Sequence, residues 1–129
     1  MAKPRPGAVP AVFFTRRAWV VDVIDGDTVS VDVDCGFHTR VRMSCRLAKI
    51  DAPEKNTIAG QASKLFLGRI LPAGTELVVD SITIDKYGGR FDAIVWKVET
   101  GENIADVMVK NDHALPWVMG KAPKPYKLS

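Results

Sequence analysis

Three acidic side chains, two arginines and tight turns stand out among the 129 residues. They fall in three segments. The first is Ile24-Asp25-Gly26-Asp27-Thr28-Val29. The second runs from Arg46-Leu47 to Ile50-Asp51-Ala52-Pro53-Glu54, and the third is Asp85-Lys86-Tyr87-Gly88-Gly89-Arg90. Asp27 and Asp51 are carboxylates suited to a hard cation. Calcium accepts carboxylate, carbonyl and water oxygens in flexible geometry, so it matches them. Pro53 biases Ala52 toward extended backbone, which leaves the Ala52 carbonyl free to join the same ion. Glu54, three residues beyond Asp51, could orient a water or take its proton. Arg46 and Arg90 offer guanidinium groups that match phosphate oxygens in a fork. They would hold a five-coordinate phosphorus more strongly than the ground state, which is the differential interaction that catalysis requires. Tyr87 could stack on a base or sugar. Together these groups suit metal-assisted cleavage of a phosphodiester.

Each piece also has a plainer reading. Asp25-Gly26-Asp27-Thr28 alone is a hairpin turn, since Asp and Gly dominate turns. Glu54 alone is a surface residue, and Tyr87 alone is a turn aromatic. Arg40, Arg42 and Arg46 share one face of a strand, either as a solvated stripe or as a phosphate-binding surface.

The elements that must bring these residues together are legible in the hydrophobic pattern. Residues 18–24 are apolar and β-branched, as in a buried strand. Residues 28–34 alternate, with Val29, Val31 and Val33 on one face. After the Cys35-Gly36 turn, residues 39–48 alternate again, with Val41, Met43, Cys45 and Leu47 on one side. Pro53 stops that run. Ile58, Ala62, Leu65, Phe66 and Ile70 recur at helical spacing over residues 58–71, and Pro72-Ala73-Gly74 ends the helix. Strands are expected at about 75–84 and 91–98. A short helix is expected over residues 103–111, with Asn103 as its cap. Three strands, a helix, two strands and a helix fit an α+β fold built on a five-stranded OB barrel. Closure of the barrel would remove the exposed edges of such apolar strands.

Composition narrows the class. The length favours one core. No apolar run reaches the roughly 20 residues that cross a bilayer, and residues 1–17 lack the pattern of a signal peptide. The expectation is a cytoplasmic protein without a membrane partner. Cys35 and Cys45 are too few for a disulfide scaffold, and Cys45 reads as a core residue. His38 and His113 lie too far apart in the chain to suggest zinc and read as surface or packing residues. The net charge of +3 is uneven. Residues 1–17 and 118–129 carry +7 between them, and the intervening body carries −4. Basic arms on an acidic body suit a protein that holds a cation and touches a polyanion. They also suit plain solvated tails. The expected organisation is an extended or mobile proline-rich arm over 1–15, a domain over 16–117 and a basic tail over 118–129.

The segments together resemble the staphylococcal nuclease (thermonuclease) family. The resemblance lies in Val23 to Val29, Arg46-Leu47, Ile50 to Glu54, Asp85-Lys86-Tyr87-Gly88 with Arg90 close behind, and Asn103 to Val109 leading to Ala114. It covers roughly residues 18–117 in family order. It implies an OB-fold nuclease that uses calcium to hydrolyse DNA and RNA and leaves 3′-phosphate ends. By position, Asp27, Asp51 and the Ala52 carbonyl would hold the metal. Glu54 would act on the attacking water, as base or as orienting group. Arg46 and Arg90 would bind the scissile phosphate, and Lys86 and Tyr87 the nucleotide. The chain departs from the pattern in four places. Ala52 stands where threonine is usual, and Gly89 is an extra residue before Arg90. The loop after Glu54 is short, and a third helix near the end is replaced by Pro- and Lys-containing residues. The expected partner is a nucleic acid, bound by a monomer or weak homodimer. The competing expectation is a catalytically inactive OB-fold module that binds nucleic acid, with a protein-interaction domain as a weaker third.

Overall fold

A computed structural model describes residues 15–84 and 89–116. Lys86, Tyr87, the proline-rich arm and the basic tail lie outside these residues. Seven strands and two helices follow in the order β1 (Thr15–Asp25), β2 (Thr28–Asp34), β3 (Arg40–Leu47), β4 (Ile50–Asp51), α1 (Ile58–Ile70), β5 (Glu76–Ile84), β6 (Arg90–Lys97), α2 (Ile104–Lys110) and β7 (Leu115–Pro116).

Five strands close a barrel in the order β1-β2-β3-β6-β5. All neighbours are antiparallel except β3 and β6, which pair in parallel and complete the mixed, OB-like barrel. The alternation read from the chain works as expected on β2, where Val29, Val31 and Val33 point inward and are buried. They meet Ala18, Val20, Cys45, Leu47, Leu77, Val79, Phe91, Ala93 and Val95 in one core. Leu67 from α1 and Ile104 and Met108 from α2 join the same core. Cys45 is among the buried residues, and that burial pushes its thiol pKa up to about 12. The inward row of β3 fades toward its start: Met43 is partly buried and Val41 is exposed, because no element among the described residues covers that end.

Helix α1 occupies the expected stretch but buries a different face. Gly60, Ser63 and Leu67 face the barrel, while Ile58 and Leu65 are exposed. The reason is close approach. A Cβ on Gly26 would lie 2.1 Å from the Ser63 hydroxyl, and one on Gly60 would lie 1.9 Å from the Glu54 carbonyl oxygen. Small residues let the helix sit directly on the β1–β2 turn and on the loop after Pro53, so Ile58 and Leu65 are left outside while Phe66 and Ile70 pack partly buried against the core. Thr57 caps the helix by accepting from the Gly60 amide at 3.0 Å, and Asn103 caps α2 by accepting from Asp106 at 3.3 Å.

One small element escapes the periodicity altogether. β4 and β7 form a two-residue ladder in which Asp51 faces Leu115. Lys49, with φ of +68°, turns the chain from β3 into β4.

Candidate metal and phosphate site

The β1–β2 turn sets the first carboxylate. β1 carries register shifts between Val20 and Asp22 and between Val23 and Asp25. Such irregularities bend a strand and re-aim its end. The Asp25 carboxylate accepts from the Asp27 amide at 3.2 Å. The Asp27 carbonyl accepts from the Leu47 amide at 2.8 Å, tying the turn to β3. The Asp27 carboxylate then points across to the next segment. Its Oδ2 accepts from the Ala52 amide at 3.1 Å, and its Oδ1 accepts from the Thr28 hydroxyl at 3.0 Å.

The second carboxylate arrives from β4. The left-handed Lys49 folds Ile50 and Asp51 back beside Arg46, whose Nη2 donates to the Ile50 carbonyl at 3.2 Å. The same nitrogen lies 3.4 Å from Asp51 Oδ1 and 3.8 Å from Asp27 Oδ2. Asp27 and Asp51, 24 positions apart in sequence, therefore converge on one guanidinium group. That positive charge offsets the repulsion between them.

The balance is incomplete at Asp27. Burial, and then the neighbouring Asp25, push its pKa up to about 6, against the Ala52 amide and Arg46, which pull it down. The shift marks a surplus of negative charge in a partly desolvated place.

A cleft of about 440 Å³ opens on this surplus, lined by Asp25, Asp27, Asp51, Ala52, Pro53 and Glu54, with Lys55 and Asn56 at its side. Glu54 is exposed, and its backbone carbonyl accepts from the Thr57 amide at 3.0 Å and the Thr57 hydroxyl at 2.6 Å. A larger cleft of about 500 Å³ lies elsewhere, between α2, β4 and β6, and its lining is mostly apolar.

The site fits a hard cation by the chemistry of its donors. Every candidate ligand is an oxygen, and the charge surplus at Asp27 is of the sign a cation would offset. Among the described residues, no group of three or more Asp, Glu, His or Cys forms a ready-made metal cluster. The Asp25, Asp27 and Asp51 carboxylates line the cleft together with Ala52.

Arg90 stands on the same barrel wall as Arg46 but does not join its contacts. In the parallel β3–β6 pair, Ser44 faces Arg90 and Arg46 faces Asp92. Phe91 and Ala93 point into the core, so Arg90 and Asp92 point out. Gly89, with φ of +79°, leads into the strand, and its carbonyl accepts from the Ser44 amide at 2.9 Å. Arg90 is exposed and makes no ion pair with a described residue.

Sequence reasoning passed over three contributors. In the sequence Asp25 reads only as part of a turn, although it lines the cleft and acts on Asp27. Its signal was its place two residues before Asp27. Ser63, fully buried, donates to the His113 carbonyl at 2.7 Å beneath the β1–β2 turn. Gly60 permits the loop bearing Glu54 to pack on α1. A small residue in a helix gave the only hint of the last two. His113 itself stacks on Phe66, with ring centroids 4.4 Å apart, in a packing role.

No family model matches the chain. Protein ParB of Escherichia coli is 36% identical over 80 residues, which is 62% of this chain and 41% of that protein. The chain thus spans well under half the length of the curated relative it resembles.

Proposed function

We propose that the protein is a calcium-dependent nuclease that hydrolyses phosphodiester bonds of DNA or RNA and leaves 3′-phosphate ends. The observation that carries this reading is the convergence of Asp27 and Asp51 on Arg46 Nη2 at a cleft that Glu54 also lines. The motif resemblance to the staphylococcal nuclease family, carried by the same residues, agrees with it.

In this reading Asp27, Asp51 and the Ala52 carbonyl hold the calcium ion. The ion, when bound, neutralises phosphate charge and polarises the phosphoryl group. Glu54, exposed on the cleft wall, orients the attacking water and accepts its proton. With the carboxylates engaged by the cation, the Arg46 guanidinium can turn its remaining donors to the phosphate. Arg90 approaches from β6 on the same wall, and both charges stabilise the extra negative charge that develops on phosphorus. Lys86 and Tyr87 contact the nucleotide.

The test uses purified protein with plasmid and single-stranded DNA, in calcium and in EDTA. Cleavage should require calcium, and Glu54→Gln should slow it by about 10²–10⁴-fold. DNA binding with no calcium-dependent cleavage would reject hydrolysis and leave the inactive binding module as the function.

A further inference from the structure

We propose that the β2–β3 hairpin and the outer face of β3 form a docking track for single-stranded nucleic acid, with the Phe37 ring as a base-stacking platform. The proposal shares the nucleic-acid reading above but does not require hydrolysis.

Phe37 is 99% exposed at the hairpin tip. Gly36, Phe37 and His38 are consecutive left-handed residues, with φ of +77°, +53° and +60°. For residues other than glycine this conformation costs about 1–2 kcal/mol each. Yet the turn is tightly built. The Gly36 amide donates to Asp34 at 2.9 Å, the Cys35 amide to the Thr39 carbonyl at 2.9 Å, and the Thr39 amide to the Gly36 carbonyl at 2.9 Å. An ordered, strained turn thus presents a large apolar ring to water. Strain of this kind gathers at binding sites.

From this tip one outward row runs along β3 toward the acidic cleft: Arg40, Arg42, Ser44 and Arg46. It spans about 20 Å at strand rise, and Arg90 stands beside Ser44 on β6. The Arg40 guanidinium lies 3.7 Å from the centroid of the Trp19 ring, which holds it in place without neutralising it. Two of the acids nearby are committed, while Asp92 faces outward opposite Arg46 on β6. Asp32 is bound by Arg42 at 3.0 and 3.3 Å, and Asp34 accepts from the turn. Arg40 and Arg90 are therefore the cations that phosphates along the row would meet.

The charge calls for a polyanion, and the naked ring calls for an unpaired base. A duplex keeps its bases stacked inside, whereas every base of a single strand offers a face to an aromatic side chain.

The experiment is fluorescence anisotropy of a labelled twelve-residue oligothymidylate, in EDTA so that cleavage does not interfere. Phe37→Ala should weaken binding by about 5–100-fold, while Phe37→Trp should preserve it. Thermal melting of Phe37→Ala should match the parent, because the ring is exposed. Arg40→Gln should weaken binding and flatten its salt dependence. Unchanged affinity in Phe37→Ala, or equal affinity for a duplex of the same length, overturns the proposal. A loss of affinity in Phe37→Ala, in a protein that never cleaves with calcium, upholds the track and rejects only the nuclease reading.

Discussion

Asp27 carries opposing demands. Its burial and the neighbouring Asp25 make the ionised form costly, and its pKa rises from near 3.8 to about 6. A raised carboxylate pKa means that the folded state binds the proton more tightly than the unfolded chain. The resulting penalty is full above pH 6 and is relieved as pH falls from 6 toward 4. Metal-free protein should therefore gain stability from this group on acidification from pH 7 to pH 5. The gain is about 1 kcal/mol once water screening is allowed for. Asp27→Asn removes the charge and should melt higher at pH 7, with a flatter pH profile over that window and no calcium-dependent cleavage. Chemical denaturation at pH 5 and pH 7 checks the first part, and an equal pH response in both proteins contradicts it. The residue types at this site were legible as oxygen ligands. The charge surplus was not, because it depends on burial and on a neighbour that the chain presents only as a turn.

Helix α1 shows how an element holds a site without contributing chemistry. Its two glycines differ in kind. A Cβ on Gly60 would meet the Glu54 carbonyl oxygen at 1.9 Å and the Lys55 Cα at 2.9 Å, whereas one on Gly68 meets nothing within 4 Å. Gly60→Ala should displace the loop bearing Glu54, cost about 2–3 kcal/mol in urea unfolding and depress cleavage. Gly68→Ala should stabilise by about 0.5–1 kcal/mol through helix propensity and leave cleavage intact. The helix itself was visible in the spacing of Ile58, Ala62, Leu65, Phe66 and Ile70. Its fully buried face was only partly visible: Phe66 and Ile70 do pack against the core, but periodicity marks apolar residues, and here close approach selected Gly60, Ser63 and Leu67.

At the scale of the whole molecule, the closed barrel and the β4–β7 ladder supply the rigidity that a site drawn from distant segments requires. A cation bound between two such segments should couple to global stability, since it binds the folded state alone. Calcium at about a hundred times its dissociation constant should add about 2.7 kcal/mol. That corresponds to a rise of several degrees in melting temperature. EDTA should reverse the rise, and Asp27→Asn should abolish it. An identical melting curve with and without calcium would argue against a cation bridging the turn and β4.

The chain by itself determined the barrel, because alternating valines on β2 and capped, punctuated helices are local signals that each element carries alone. It also supplied the oxygen donors and guanidinium groups in recognisable segments. Only the tertiary structure decided that Arg46 lies between Asp27 and Asp51, that Arg90 stands apart beside Ser44, and that Phe37 crowns a row of arginines. Those outcomes depend on register, on left-handed turns at Lys49 and Phe37, and on a parallel strand pair closed across more than forty residues. Such pairings have no short-range signature, since the residues that decide them meet only when the barrel closes.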